Sequence, residues 1–245
     1  MDSGYYAAVA GWVARTQALD TAAANLANAQ TPGFRAEREY FRSFLAESQD
    51  QKSQVGQAIN RFGVVGGSQL STTQGPMQQT GNPLDLGIEG EGFFAIQTEK
   101  GLRFTRDGSF HRSQSGMLVS AAGEPVLSQS KQPINIPPGE IAVGADGALS
   151  VAGAVFARAG VFAFPIPTQL KAEGANRYVA PDGAPVSQSQ EYAIHQGELE
   201  GANQDVIQGS LDLLMMQRQA EMMQKALMVF HTDFNKAATE DLPRV

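Results

Sequence analysis

Near the C-terminus, residues 206–237 repeat apolar positions at alternating three- and four-residue steps: Val206, Gly209, Leu213, Met216, Ala220, Met223, Leu227, Phe230 and Phe234. That spacing is the a/d seam of a helix packed along a neighbouring helix. Leu211, Leu214, Met215, Met222, Ala226 and Val229 form a second apolar surface on roughly the opposite side. One partner helix covers one side only. The stretch is therefore either the centre of a large core or an assembly helix buried when copies stack beside it. At about 1.5 Å per residue it runs to roughly 45 Å, well beyond the average globular helix of about 11 or 12 residues.

The chain also opens with such a stretch. Residues 3–30 read as a helix in which Tyr5, Val9, Trp12, Thr16, Leu19, Ala23 and Leu26 keep the same four-three rule. Thr31-Pro32-Gly33 ends it, because proline biases Thr31 away from α geometry and glycine accepts a turn conformation. Matching periods at the two ends predict that the termini pair with each other rather than each docking into the middle.

Between them lies a different chemistry. Residues 34–45 interleave Phe34, Phe41, Phe44 and Leu45 with Arg35, Arg38 and Arg42, and Glu37, Glu39 and Glu47 sit among or just beyond them. This mixture predicts a salt-bridging face, solvated or between subunits, rather than a nucleic-acid surface. Residues 46–73 turn to Ser, Gln and Gly and read as a linker or an extended hairpin. From Gln74 to about Ser187 short apolar runs alternate with turn signals. Phe93-Phe94-Ala95-Ile96 and Leu102-Arg103-Phe104-Thr105 are two strands. Ile134 with Ile136, Ile141 with Val143, and Leu149 with Val151 show the alternation of half-buried ones. Asp107-Gly108 and Asp146-Gly147 are tight-turn pairs in which glycine can take positive φ.

The expected fold class is thus α+β: paired N- and C-terminal coiled-coil-like helices plus an all-β middle domain. The expected division is a helical assembly domain of 1–35 with 200–245, an extended connector of 36–75, and a β domain of 76–199.

Composition narrows the function classes. A net charge of -7 opposes an electrostatic grip on nucleic acid, and no apolar run approaches the about 20 residues a bilayer-spanning helix needs. There is no cysteine, which removes disulfides, thiol catalysis and thiolate metal sites. The start, Met1-Asp2-Ser3-Gly4-Tyr5, lacks the basic region and apolar run of a cleaved signal, so any export is expected to use another route.

Motifs for catalysis are sparse. Gly87, Gly90 and Gly92 precede a strand, whereas a dinucleotide-binding glycine run follows one and opens a helix. His111, His195 and His231 lack metal-ligand spacing, and no nucleophile elbow or P-loop occurs. No cofactor and no metal is expected. Glu89 and Glu91 lie on one strand face and leave open a glycosidase-like carboxylate pair acting on cell-wall glycan. Met215, Met216, Met222, Met223 and Met228 leave open a peptide-binding groove, though beside a heptad seam they read better as adaptable helix packing.

The segment from Ala23 to Phe34, Ala-Ala-Asn-Leu-Ala-Asn-Ala-Gln-Thr-Pro-Gly-Phe, resembles the N-terminal signature of the flagellar axial proteins, the rod and hook family; Ala24 stands in place of the first of its two asparagines. The resemblance continues through Gln74-Gly75-Pro76, Gln79-Thr80-Gly81-Asn82-Pro83-Leu84-Asp85-Leu86, Gly92-Phe93-Phe94, Phe104-Thr105-Arg106-Asp107-Gly108-Ser109-Phe110 and Gly197-Glu198-Leu199-Glu200-Gly201-Ala202-Asn203. It also covers Gln217-Arg218, Glu221 and Lys225, with Ala220 where an aromatic is usual. Length and the short middle are most similar to the family's proximal-rod members.

The resemblance implies a structural, non-enzymatic subunit of the bacterial flagellar basal-body rod. Its terminal helices would polymerise into the drive shaft that crosses the periplasm and peptidoglycan. It would be exported by the flagellar type III apparatus without a cleaved signal. It implies self-association in a helical filament, and contacts with other proximal and distal rod proteins. The residues expected at subunit contacts are Tyr5, Val9, Trp12, Leu19, Asn25, Leu26, Asn28, Gly33, Phe34, Leu213, Met216, Ala220, Met223, Leu227 and Phe230.

Overall fold

Four consecutive apolar residues, Phe93 to Ile96, send alternate side chains to opposite faces of one strand. In the computed structural model both faces are buried. Phe94 and Ile96 enter one cluster with Leu86, Ile88, Phe110, Leu118, Val126, Ile134, Leu149 and Ile194. Phe93 and Ala95 enter a second with Leu70, Phe104, Leu127, Phe162, Phe164, Leu170 and Tyr178. The second cluster is aromatic and edge-to-face: ring centroids lie 4.8 Å apart for Phe104 and Phe164 and 5.7 Å apart for Phe93 and Tyr178.

The structure describes residues 2–42, 64–181 and 183–240. They fall into two compact units. One comprises Met1–Ala27, Glu37–Ser68 and Val206–Val245, the other Asn28–Ala36 and Gln69–Asp205.

The first unit holds α1 (Asp2–Ala27), β1 (Glu37–Arg42), most of β2 (Val64–Leu70), and α2 (Val206–Glu240). The two helices are neighbours, α1 also lies against β1, and β1 pairs with β2. Residues 43–63, which carry Phe44, Leu45 and most of the expected connector, lie outside the described residues. Helix α1 ends at Ala27, earlier than Thr31-Pro32-Gly33 suggested. The Asn28 carbonyl accepts from the Thr31 N–H at 3.0 Å, so the chain turns before the proline acts.

The second unit is all β. After β3 (Met77–Gln79) and β4 (Leu86–Gly90), β5 (Phe93–Thr98) and β6 (Gly101–Thr105) form a hairpin in which Thr98 faces Gly101. Then come β7 (His111–Arg112), β8 (Leu118–Val119), β9 (Ile141–Val143), β10 (Ala148–Val151), β11 (Ala154–Arg158) and β12 (Val161–Ala163). A 3-10 turn (Pro167–Gln169) leads to β13 (Lys171–Gly174), β14 (Arg177–Val179), β15 (Ser187–Gln188), β16 (Tyr192–Gln196) and β17 (Glu198–Glu200). The largest sheet has the order β13-β14-β6-β5-β12-β15, and β11-β10-β9 form another. The returning strands β16 and β17 pair antiparallel with β4 and β3, so the end of the unit closes onto its beginning.

Most expected strands are present, with two corrections. Ile134 and Ile136 are buried but sit in a segment joined to its neighbours by isolated bridges rather than in a strand. Gly108 does not have positive φ. It is required because a Cβ there would lie 1.8 Å from the Leu86 carbonyl oxygen. Gly147, at φ +77°, is the turn glycine its motif suggested.

Candidate functional site

In the helical unit, burial divides each helix into faces. On α2 the less exposed line runs through Gly209, Leu213, Met216, Ala220, Met223 and Leu227, six positions of the expected seam, whereas Val206 at its start is exposed. The opposite surface is apolar and open: Leu211, Leu214, Met215, Met222 and Val229 stand in solvent, Met222 at 62% exposure. On α1 the buried line is Gly11, Ala14 and Ala18, with Val9, Leu19 and Leu26 half-buried and Trp12 at 38% exposure. This buried line sits about one residue before the heptad read from the large side chains. The reason is size: glycine and alanine let a neighbouring backbone approach closely, and the larger residues flank that contact. The side chains of Tyr5 and Phe230 lie outside the described residues.

Asn25 has a defined task within this unit. Its Nδ2 donates to the Glu37 carbonyl at 2.7 Å, and its Oδ1 accepts from the Glu37 N–H at 3.0 Å. One amide thus satisfies the first residue of β1 on both its polar groups. Four residues earlier, one helical turn away, Thr21 Oγ1 donates to Glu39 Oε1 at 2.8 Å. Burial is the leading cause raising the Glu39 carboxyl above its ordinary value, opposed by that hydrogen bond and reinforced by Asp20 and Glu37.

The motifs of the β unit, scattered along the chain, converge on one buried carboxylate. Glu200 at the end of β17 is 1% exposed and binds Arg35 Nη2 at 2.7 Å and Arg106 Nη1 at 3.0 Å. Its Oε1 also accepts the Gly75 N–H at 2.9 Å, and its main-chain carbonyl accepts the Gly33 N–H at 2.7 Å. The terminal guanidinium nitrogens also donate to main-chain carbonyls. Arg106 donates to Ile88 and Gly90, at 3.1 and 2.6 Å, and Arg35 to Thr72 and Thr73. Arg106 also lies 5.3 Å from the Phe93 ring centroid, a cation–π contact.

Two buried arginines against one carboxylate leave an excess positive charge. Desolvation accordingly lowers the Arg106 pKa to about 10 despite the attraction of Glu200, and Arg35 shifts in the same direction for the same reason. Arg106 Nε is buried without an acceptor. Such a cluster holds while complete; losing one partner from a buried ion pair costs about 3–5 kcal/mol.

Around this centre the packing permits no side chain at three glycines. A Cβ on Gly33, whose φ is +68°, would lie 2.2 Å from the Asp107 nitrogen. One on Gly75 would lie 2.0 Å from the Gly201 oxygen, and Gly108 meets Leu86 as described. Asn203 adds a second fastening: its Oδ1 accepts the Ala36 N–H at 2.7 Å and its Nδ2 donates to the Thr73 carbonyl at 2.8 Å. Asn176 Nδ2 donates to the Pro32 carbonyl at 2.7 Å, and the Tyr178 hydroxyl accepts the Arg35 N–H at 3.0 Å.

Of the residues expected at subunit contacts, Gly33 and Phe34 therefore belong to this buried junction, with Phe34 half-buried and its carbonyl accepting from Asn203 N–H. Asn28 starts the turn that leads into it. Sequence reading missed the junction. Its available signal was Arg35, Arg106 and Glu200 placed beside glycine and apolar neighbours, in Gly33-Phe34-Arg35, Phe104-Thr105-Arg106 and Leu199-Glu200-Gly201-Ala202, where solvated charges are out of place.

The carboxylates considered for glycan chemistry do not share an enclosed site. Glu89 is exposed and contacts His195 Nε2 at 2.6 Å, and Glu91 is exposed beyond the end of β4. A general acid needs an apolar enclosure to keep its proton at neutral pH. Among the described residues no group of His, Asp and Glu could hold a metal ion, and no helix is long and apolar enough to cross a membrane.

Comparison with known proteins agrees with the motifs. A family model described as flagella basal body rod protein matches residues 6–35, and one described as flagellar hook protein FlgE/F/G D1 domain matches residues 87–151. The flagellar basal-body rod protein FlgF of Caulobacter vibrioides is 33% identical over 252 residues, covering 100% of both chains. FlgF of Mesorhizobium japonicum is 34% identical over 225 residues, 90% of each chain. The rod protein FlgG of Buchnera aphidicola from Schizaphis graminum is 28% identical over 229 residues, 83% of this chain and 86% of its own. With both matched segments lying on the elements described above and full-length similarity to FlgF, the chain belongs to the FlgF family of flagellar basal-body rod proteins.

Proposed function

We propose that this chain is a non-catalytic structural subunit of the flagellar rod that polymerises through α1 and α2. The observation that carries the reading is the two-sided apolar character of α2: the line from Gly209 to Leu227 is buried or half-buried while Leu211, Leu214, Met215, Met222 and Val229 stay open. Each such side chain gains roughly 1.5–3 kcal/mol on full burial, so a surface of this kind is stable in water only until neighbours arrive to cover it. On this reading α1 and α2 form a coiled-coil-like pair, and lateral copies dry the outer face. Repeated contacts between unlike faces generate an open helix rather than a closed ring.

The same reading places the subunit in the periplasmic rod, in association with other proximal and distal rod proteins, after passage through the flagellar type III export apparatus. The proximal position is favoured over a distal-rod or hook-type one because the FlgF relatives span this chain at higher identity than the FlgG relative does.

The test replaces Leu214 and Met222 together with Lys, both exposed and away from the seam. The expected result is a monomer with unchanged helix content that no longer enters rods or supports motility. Rods of normal length and composition containing this variant would overturn the proposal.

A further inference from the structure

The Glu200 junction does more than complete the β core, because of which chain segments it holds. Gly33 and Arg35 lie on the segment arriving from α1; Thr72, Thr73 and Gly75 on the segment arriving from β2; Glu200 and Asn203 on the segment departing to α2. Arg106, anchored on the Ile88 and Gly90 carbonyls of β4, supplies the fixed point within the β unit. Three segments of the chain are thereby tied by one carboxylate, and Asn203 ties the same three again through Ala36, Ser71 and Thr73.

We propose that Glu200 is a positioning residue for assembly: with Arg35 and Arg106 it forms a clasp that fixes where the chain leaves the β unit on its way to the helices. The inference rests on the polymerisation reading above. A polymer passes force from subunit to subunit only if the segments joining the parts of each subunit are stiff. Ordinary loop connections are the softest parts of a fold. Here they are immobilised by charge-assisted hydrogen bonds in a desolvated cluster, where breaking one partner leaves unpaired charge. The glycines at positions 33 and 75 allow the segments to press together without intervening side chains.

The test is Glu200→Gln in the full chain, read by amide hydrogen exchange and by rod assembly. A clasp predicts a split. The amides of Gly33, Gly75 and Gly201 exchange about 100-fold faster, those of Ile96 and Leu127 in the core change by less than about 10-fold, and rod incorporation is lost. Acceleration of all five amides by a common factor would mark Glu200 as a contributor to core stability only and overturn the proposal. So would unchanged exchange, or normal rods despite the split. If Glu200→Gln does not fold, Arg106→Lys, which keeps the charge but loses the two-pronged reach, carries the same comparison with a smaller split. The exchange pattern is measured on the monomer, so it stands or falls separately from the Leu214 and Met222 test.

Discussion

Replacing Gly33 with alanine isolates what backbone proximity contributes to this fold. Two costs add. The residue sits at φ +68°, in the left-handed region, where a side chain costs roughly 1–2 kcal/mol. The new Cβ would also lie 2.2 Å from the Asp107 nitrogen and 2.3 Å from the Arg106 carbonyl carbon, both main-chain atoms that cannot swing aside. Forcing an extra carbon into such packing costs about 1–3 kcal/mol, and here it pushes on the Gly33 N–H bond to Glu200. The sum is roughly 2–5 kcal/mol. With a mid-range urea dependence of about 2.5 kcal/mol per molar, the unfolding midpoint of the β unit falls by roughly 1–2 M. Near-ultraviolet dichroism, which reports the packed Tyr178 and phenylalanine rings, follows that unit. Gly153→Ala is the control: its φ is +80° but nothing lies within 4 Å of the added carbon, so only the conformational cost of about 1–2 kcal/mol applies. Equal midpoints for the two variants would refute the argument that close approach of main chains dominates at Gly33.

Two further perturbations test other parts of the structure. Asn25→Ala removes both hydrogen bonds to Glu37 and is expected to destabilise the helical unit by about 1–3 kcal/mol, seen as loss of amide protection at Glu37; retained protection would show that the side chain does not hold β1. The hydrogen bonds from Arg103 hold the half-buried Glu173 carboxyl below its ordinary pKa, with Arg103, Lys100 and Arg177 charges adding to this and desolvation opposing it. A depressed folded pKa gives stability that is present above the unfolded carboxylate range and is lost as pH falls through the folded value. Wild type should therefore exceed Glu173→Gln in urea midpoint at pH 7, with the difference shrinking below about pH 4 and disappearing under acid conditions. A difference independent of pH would refute the assignment.

The less exposed line of α2 from Gly209 to Leu227 was legible because one helix face must be apolar to pack, and that rule acts along a single segment. The β5–β6 hairpin was legible for a similar reason, since alternation and a short turn are local. The buried line of α1 was not, because small residues carry little hydrophobic signal, and the preference for Gly11, Ala14 and Ala18 over Trp12 arises only when another backbone comes close. Residues 28–35, expected with the helices, and Ala36, expected in the connector, lie in the β unit, where their hydrogen bonds go to Asn176, Tyr178, Glu200 and Asn203.

The sequence by itself determined the element types, the two helical ends around a β middle, and, through its motifs, membership of the rod family. Only the tertiary structure decided that Arg35, Arg106 and Glu200 share one buried site. Periodicity reports which face of a segment avoids water, but ion pairing across a fold depends on three-dimensional register, which no local pattern encodes. A charge looks the same in the sequence whether solvent or a distant opposite charge will stabilise it.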